Sequence, residues 1–554
     1  MQRPFATALA LALVATLPVW ADEPTVDFTV VQTDTMMGLS RSVLASPAAW
    51  REVARLNRLP NANRIVPGQV LKIPTRLLRI DTRDARIVSA NGDVRIGDAA
   101  ATSGAALAEG QTVQTGAGSS AVIEMADGSR MRLPPSSLAQ VTASRQLGER
   151  TDTTAAASPA RAAAANVTNG WFAGTLRVLR GSVEVFATKV LRAKPLEVIT
   201  PTAVVGVRGT RYRVSVDADA ADRTRGEVVE GLVRFDVPRT ATGADVAAGF
   251  GTTSDSGSTA PTVVKLPPAP DLSPVPERFE RPLVRFALPA ETAPLHVQVA
   301  SDADFDKIVL DQRVTAGEEV RIAGLEDAQW HLRARRVDAQ GIEGFDANRA
   351  FVLKARPEPP VYRAPRSDAK QQIGGVEFAW AQNAEAPQAR LQIAEDAAFA
   401  KIVQQRDGLN DATLRSEIPA PGVYYWRMAS VRANGDSGPY GDPQRFELRP
   451  MPEPPAVGRS ADGSALVFKW GGRPQDRQRV ELASDPAFTQ IVAQDDVTSA
   501  EWTLPMPSRG GRYYFRYRSI EPDGYVTPYS EAAVIDVPRD WSIWLLLLPL
   551  VVLF

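Results

Sequence analysis

Two hydrophobic periods divide this chain of 554 residues. Up to about residue 74 apolar positions recur at helical spacing between two short alternating runs. Phe28 and Val30 alternate; Met36, Leu39 and Val43 then share one helical face, and Trp50, Val53, Ala54 and Asn57 share another. Ser46-Pro47 supplies an N-cap and a proline at the first helical position of the second helix, and Val70 to Ile73 alternate again. The expected order is β-α-α-β. From Ala85 onward the period is two. Ile123 and Met125, then Met131 and Leu133, flank an Asp127-Gly128 turn and predict a hairpin. Tyr212, Val214 and Val216 alternate with Arg211, Arg213 and Ser215, which predicts a half-buried strand with the arginines toward solvent. Just before it, Gly206 and Gly209 bracket Val207-Arg208, a tight turn between strands.

Composition shifts set the expected boundaries. Residues 151–166 are Ala- and Thr-rich and read as a low-complexity insertion. Residues 238–275 turn Gly-, Ser-, Thr- and then Pro-rich and read as a linker. An internal repeat follows: Phe286, Phe305, Trp330, Arg333 and Gly341 shift by 94 onto Trp380, Phe399, Tyr424, Arg427 and Gly435. A further shift of 89 carries the last four onto Phe488, Tyr513, Arg516 and Gly524, with Trp470 at an offset of 90 from Trp380. Copies at 276–356, 357–449 and 451–538 each hold about seven short alternating runs, which suits a β-sandwich. Their aromatics are expected in the cores, and Arg333, Arg427 and Arg516 on a sandwich face. The fold class is mainly β and multidomain: a small βααβ unit, an all-β domain over 85–237 and three β-sandwich repeats.

Charge is nearly balanced, at −1, with no basic run, which argues against a nucleic-acid partner. Absence of cysteine removes disulfides, a thiol nucleophile and a lipoprotein anchor. Two histidines leave almost no material for a histidine metal site or a triad. Residues 1–21 read as a cleaved signal peptide, which places the mature chain in the periplasm of a Gram-negative bacterium. Residues 541–554 are strongly apolar and are expected to attach the protein to a membrane, the alternative being packing on the last sandwich or on a partner.

Catalytic patterns fail on context. The segment Gly435-Asp436-Ser437-Gly438-Pro439 superficially matches a serine-protease nucleophile, yet the equivalent turns of the other repeats lack serine. Gly116-Ala117-Gly118 precedes a strand where a dinucleotide loop needs a helix. No catalytic residues, metal or cofactor are expected, and the chain reads as a non-enzyme.

Three stretches carry family resemblances. The run TPTAVVGVRGTRY at 200–212, with VQTGAGSSAVIEMADGSRMRL before it and GEVVEGLVRFDV after it, resembles the FecR domain, a periplasmic all-β module. That resemblance implies a partner-binding role for Arg208, Thr210 and Arg211, toward an unidentified envelope or inner-membrane signalling protein. FecR proteins relay transporter occupancy to a sigma factor. Residues 28–75, with Asp34-Thr35, Ala54 to Asn57 and IVPGQVLKIP, resemble a LysM domain. LysM domains bind N-acetylglucosamine-containing glycans such as peptidoglycan. The loops this implies are Thr33, Asp34, Thr35 and Met36, and Asn61, Asn63, Arg64 and Ile65 beside Ala62. The repeats, through Phe378-Ala379-Trp380 and Tyr424-Tyr425, resemble fibronectin type III domains. The leading expectation is a periplasmic peptidoglycan-binding scaffold or sensor. A FecR-type transducer in iron or envelope signalling is the alternative, and a cell-wall hydrolase is a third class with no constellation to support it.

Overall fold

Period-two patterning produces strands almost throughout the computed structural model, which describes residues 25–30, 34–147, 172–188, 196–207, 209–217, 223–288 and 291–538. The expected signal peptide, the insertion 151–166, the tail 541–554, Thr33 and Arg208 lie outside the described residues. The chain divides into two units, 1–353 and 354–554.

The first unit opens on a two-stranded antiparallel sheet, Thr25–Thr29 with Val70–Pro74, and two helices, Met36–Ser42 and Trp50–Leu56. Thr35 caps the first helix, its hydroxyl accepting from the Gly38 N–H at 3.0 Å. Asn57 ends the second helix and ties it to the sheet. Its amide donates to Val53 O and Lys72 O and accepts from the Lys72 N–H at 2.6 Å. Phe28, Val30, Leu39, Val43, Val53, Leu71 and Ile73 form the core, as their spacing predicts. Met36, expected in the glycan-binding loop, is also in that core. It is the first residue of the helix, and its apolar side chain turns inward.

Eighteen strands among the described residues, from Ile80–Thr82 to Thr262–Lys265, close into a barrel around one apolar cluster. Strand Phe172–Phe186 links its two sheets. The first half pairs with Leu138–Leu147 and, in parallel, with Leu196–Ile199; the second half pairs with Arg130–Leu133 and Arg211–Val216. Gly181 sits at the changeover with φ +78°, where a Cβ would meet the Ser137 Cα at 2.7 Å, so only glycine permits the bend. The hairpin about Asp127-Gly128 forms between Ser120–Glu124 and Arg130–Leu133.

Most of the stretch read as a linker, 238–275, is barrel. Thr242–Ala247 pairs with Leu232–Val237, Phe250–Asp255 with Arg223–Glu230, and Thr262–Lys265 with Phe250–Asp255. Its small polar residues are buried strand positions: Thr252 and Ser254 are buried, and the Ser254 carbonyl accepts from the Thr202 hydroxyl at 3.1 Å. The strand Arg211–Val216 is buried on both faces. Tyr212 and Val214 point into the barrel, and Arg213, expected in solvent, is only 5% exposed.

The first sandwich completes this unit with a five-stranded sheet, which includes Leu295–Ala300, Ile308–Val314 and Ala328–Arg336, and a two-stranded one. In the second unit the two further sandwiches pair a three-stranded sheet with sheets of six and four strands. The repeats share a corner device. The Tyr424 and Tyr513 hydroxyls donate to the carbonyls of Ala420 and Arg509, four residues upstream, and Trp330 Nε1 does the same to Glu326. Trp380, Tyr424, Trp470 and Tyr513 lie in the cores as expected. Phe399 and Phe488 stand outside those core clusters, and Phe305 belongs to a small separate one.

Candidate functional site

Alternation on the outer face of the barrel places one or two charged residues on each adjacent strand: Arg130 and Arg132, Glu184, Arg211 and Arg213, Arg225 and Glu227. Within the same unit, the first sandwich meets this face with Arg333 and Arg335 from its sheet, where they sit opposite Gln298 and His296, and with Asp306, Glu343 and Asp346 from its loops. Two polar sheet faces are thereby desolvated against each other.

Glu184 is the centre. It accepts from Arg132 Nη1 at 2.7 Å, from Arg333 at 3.1 and 3.3 Å, and from Arg335. Burial disfavours its charge, but Arg333, Arg335, Arg132 and Arg213 outweigh that and hold its carboxyl well below the usual range. Arg132 also reaches Asp306 at 2.7 Å. Arg213 donates to Asp346 at 3.1 Å and to the carbonyls of Glu343 and Gly344 at 2.9 and 2.7 Å. Arg335 spans Glu184, Glu343 and Asp346. His296 lies between Asp311, at 2.8 Å, and Glu343, at 2.9 Å. Burial opposes a charge on the imidazole, yet the two carboxylates raise it to about 9, so it is cationic at neutral pH. Burial and the adjoining Arg335 push Arg333 down to about 9, which leaves it charged as well.

Five inner cations (Arg132, Arg213, Arg333, Arg335 and His296) thus face five carboxylates (Glu184, Asp306, Asp311, Glu343 and Asp346). Glu227 is a sixth, 3.7 Å from Arg213 Nε. Burial raises it to about 7, and Arg213 offsets that only in part. Backbone groups are satisfied across the same junction. The Ser120 hydroxyl accepts from the Ile308 N–H and donates to the Asp306 carbonyl, both at 2.9 Å, and Asn91 donates to the Ile308 carbonyl at 3.0 Å. Such a face holds two domains in one register; it presents no nucleophile with a base.

The residues expected to bind a partner separate here. Arg211 lies on the rim of this junction, donating to Asp346 at 2.9 Å with its guanidinium 5.2 Å from the Phe186 ring, so the group it meets belongs to its own chain. Thr210 is buried, because Gly231, on the turn after the neighbouring strand, leaves space for its methyl group. Gly209 has φ +74°, whereas Gly206 lies in the strand Val204–Val207, so the turn needs only the second glycine. Arg132, Glu184, Glu227, Glu343 and Asp346 are junction residues that sequence reasoning missed. Alternation of RMR at 130–132, VEV at 183–185 and RYRV at 211–214 turns Arg132, Glu184 and Arg213 away from the apolar face of each strand, but nothing local says that they are covered.

At the N-terminal unit, the loops after Thr25–Thr29 and before Val70–Pro74 are brought together. The Val30 N–H donates to Gln69 O at 2.8 Å, and the Gly68 N–H donates to Val30 O at 2.7 Å. Asn61, Asn63 and Arg64 are exposed, the Asn61 side chain accepting from the Asn63 N–H at 2.9 Å; Ile65 packs on the core edge. Asp34 is half-buried and Thr35 is exposed at the helix cap.

Residues 111–234, within this barrel, match the FecR protein family, so the chain carries a FecR domain there. Among solved structures it is similar to the FN1–FN3 domains of chicken CNTN1, with 11% identity, a TM-score of 0.20, and coverage of 47% of this chain and 95% of that one. Fibronectin(III)-like modules of Clostridium thermocellum CbhA match at 12% identity and a TM-score of 0.20, covering 32% of this chain and 93% of that one. No curated protein matches. Among the described residues there is no group of His, Cys, Asp and Glu that could hold a metal, and no helix long and apolar enough to cross a membrane.

Proposed function

We propose that this chain is a non-enzymatic FecR-type signalling protein of the bacterial periplasm. The FecR match over 111–234 carries the reading. It is supported by the charged outer face of that domain, built for protein contact and occupied in this chain by the first sandwich. The first sandwich thus fixes which barrel surfaces remain for an envelope partner. The test is deletion of the gene in its own bacterium, followed by transcript measurement in iron-replete and iron-limited medium. A defined set of envelope or uptake genes changes several-fold and is restored by the full chain, but not by a chain lacking 80–265. An unchanged transcript profile in both media sinks the signalling reading.

A second role, tethering to the cell wall, is favoured by the two N-terminal loops lying side by side with Asn61, Asn63 and Arg64 exposed. In this reading the full chain sediments with purified peptidoglycan, and replacing Asn61, Asn63 and Arg64 together with alanine releases it. A chain that stays in the supernatant over a range of salt has no such tether.

A further inference from the structure

The three sandwiches carry one surface device, neutralised in two of them. In each, an aspartate folds a turn by accepting backbone N–H groups: Asp302 from Asp306 and Lys307, Asp396 from Ala398, Ala400 and Lys401, Asp485 from Thr489 and Gln490. Three residues on, Phe305, Phe399 and Phe488 adopt φ of +60°, +59° and +52°. Their rings lie 4.4, 3.9 and 3.9 Å from the guanidinium carbons of Arg333, Arg427 and Arg516. Each arginine also donates through Nε to the residue 35 positions upstream: Gln298 at 2.9 Å, Gln392 at 3.0 Å and Glu481 at 2.9 Å.

What differs is the source of the balancing charge. Arg333 of the first sandwich takes Glu184 from the FecR barrel. Arg516 of the third takes Glu481 from its own sheet, with the Tyr529 hydroxyl donating to the same carboxylate at 2.5 Å. Arg427 of the second has only the neutral Gln392, whose amide nitrogen is already committed to Gln405 at 2.9 Å. Among the described residues no carboxylate pairs with Arg427. Its guanidinium is clamped between Phe399 and Tyr440, at 3.9 and 4.3 Å, with Nε used and the terminal nitrogens left to donate.

We propose that this Arg427 platform is a docking site for a partner protein that presents a glutamate or aspartate from an exposed β-strand, in the place Glu184 takes on the first sandwich. Two rings fix the plane of the guanidinium and exclude water from its faces, so a carboxylate arriving edge-on gains paired, charge-assisted bonds at little ordering cost. The occupant is a carboxylate on a strand because the chain itself fills the equivalent position that way: Glu184 lies in Phe172–Phe186.

The probe is a fluorescein-labelled peptide of residues 180–188, which carries Glu184, titrated to millimolar concentration against the full chain and read by anisotropy. Binding is expected to saturate, and the same peptide with Glu184→Gln to bind at least about tenfold more weakly. In the full chain Gln392→Glu supplies an internal carboxylate and should block the site by a similar factor without removing Arg427. Glu481→Gln should open a second, equivalent site on the third sandwich. Absence of saturable binding, equal binding of the two peptides, or unchanged binding to the Gln392→Glu chain overturns the proposal. Circular dichroism confirms that the variants remain folded.

Discussion

The first and third sandwiches place an arginine over a phenylalanine at equivalent positions and balance its charge in opposite ways. Arg516 finds Glu481 on the next strand of its own sheet, while Arg333 depends on Glu184, 149 residues away in the FecR barrel. A local pair makes a sandwich self-sufficient. A remote one makes the sandwich incomplete without its neighbour, because a desolvated guanidinium with no carboxylate costs several kcal/mol, more than any single hydrogen bond returns. The first sandwich and the barrel are therefore expected to unfold together, and the third sandwich independently of them.

The strongest way to break this contrast is Glu184→Gln. It leaves Arg132, Arg333 and Arg335 sharing too few carboxylates in a buried site. The first unit should lose about 3–5 kcal/mol in urea unfolding, with hydrogen exchange accelerating along Ile308–Val314. A loss below about 1 kcal/mol would mean that the network does not hold the junction.

Next in size is a pH effect confined to the first unit. His296, raised from 6.5 to about 9, binds its proton more tightly when folded. Its contribution is fully present below pH 6.5 and is lost as pH rises through 9, a difference of about 3 kcal/mol. His296→Gln should flatten the stability curve in that window; the third sandwich carries Arg479 at the equivalent position and should show no such slope. Glu227, raised to about 7, acts in the same sense at lower pH, its contribution being lost between 4.5 and 7.

Smaller again is Glu481→Gln, expected to cost the third sandwich about 1.5 kcal/mol by thermal unfolding, since Arg516 is 26% exposed and keeps both aromatic faces. Smallest is Arg211→Ala at the rim of the junction. Its side chain is 34% exposed, and the change should fall within about 1 kcal/mol, whereas Arg213→Ala, two residues on and buried, should cost several times more. Equal losses for the two arginines would show that burial does not set their worth.

Much of the fold was legible in local pattern. Phe28, Leu39, Val53 and Ile73 occupy the core positions that their spacing predicts, the Asp127-Gly128 hairpin closes, and the repeat offsets of 94 and 89 carry one corner bond through three sandwiches. Composition and alternation do not by themselves mean exposure. The Gly-, Ser- and Thr-rich stretch after Val237 forms barrel strands because small polar residues can be buried once their hydroxyls are bonded, as at Thr202 and Ser254. Met36 follows Asp34-Thr35 in sequence and lies in the core, on the helical face that its spacing with Leu39 and Val43 predicts. The ionic junction was not visible at all. RYRV at 211–214 reads identically whether its arginines face water or another sheet.

The sequence by itself determined which segments are strands and helices, where the hairpins turn and that three modules repeat, because dihedral preference and hydrophobic period act over a few residues. Which faces of those strands are dry was decided only in the tertiary structure. The first sandwich, through residues 130 to 151 positions downstream, removes water from Glu184 and Arg213, and desolvation turns a charge that would be nearly neutral for stability on an open face into one that binds two domains together.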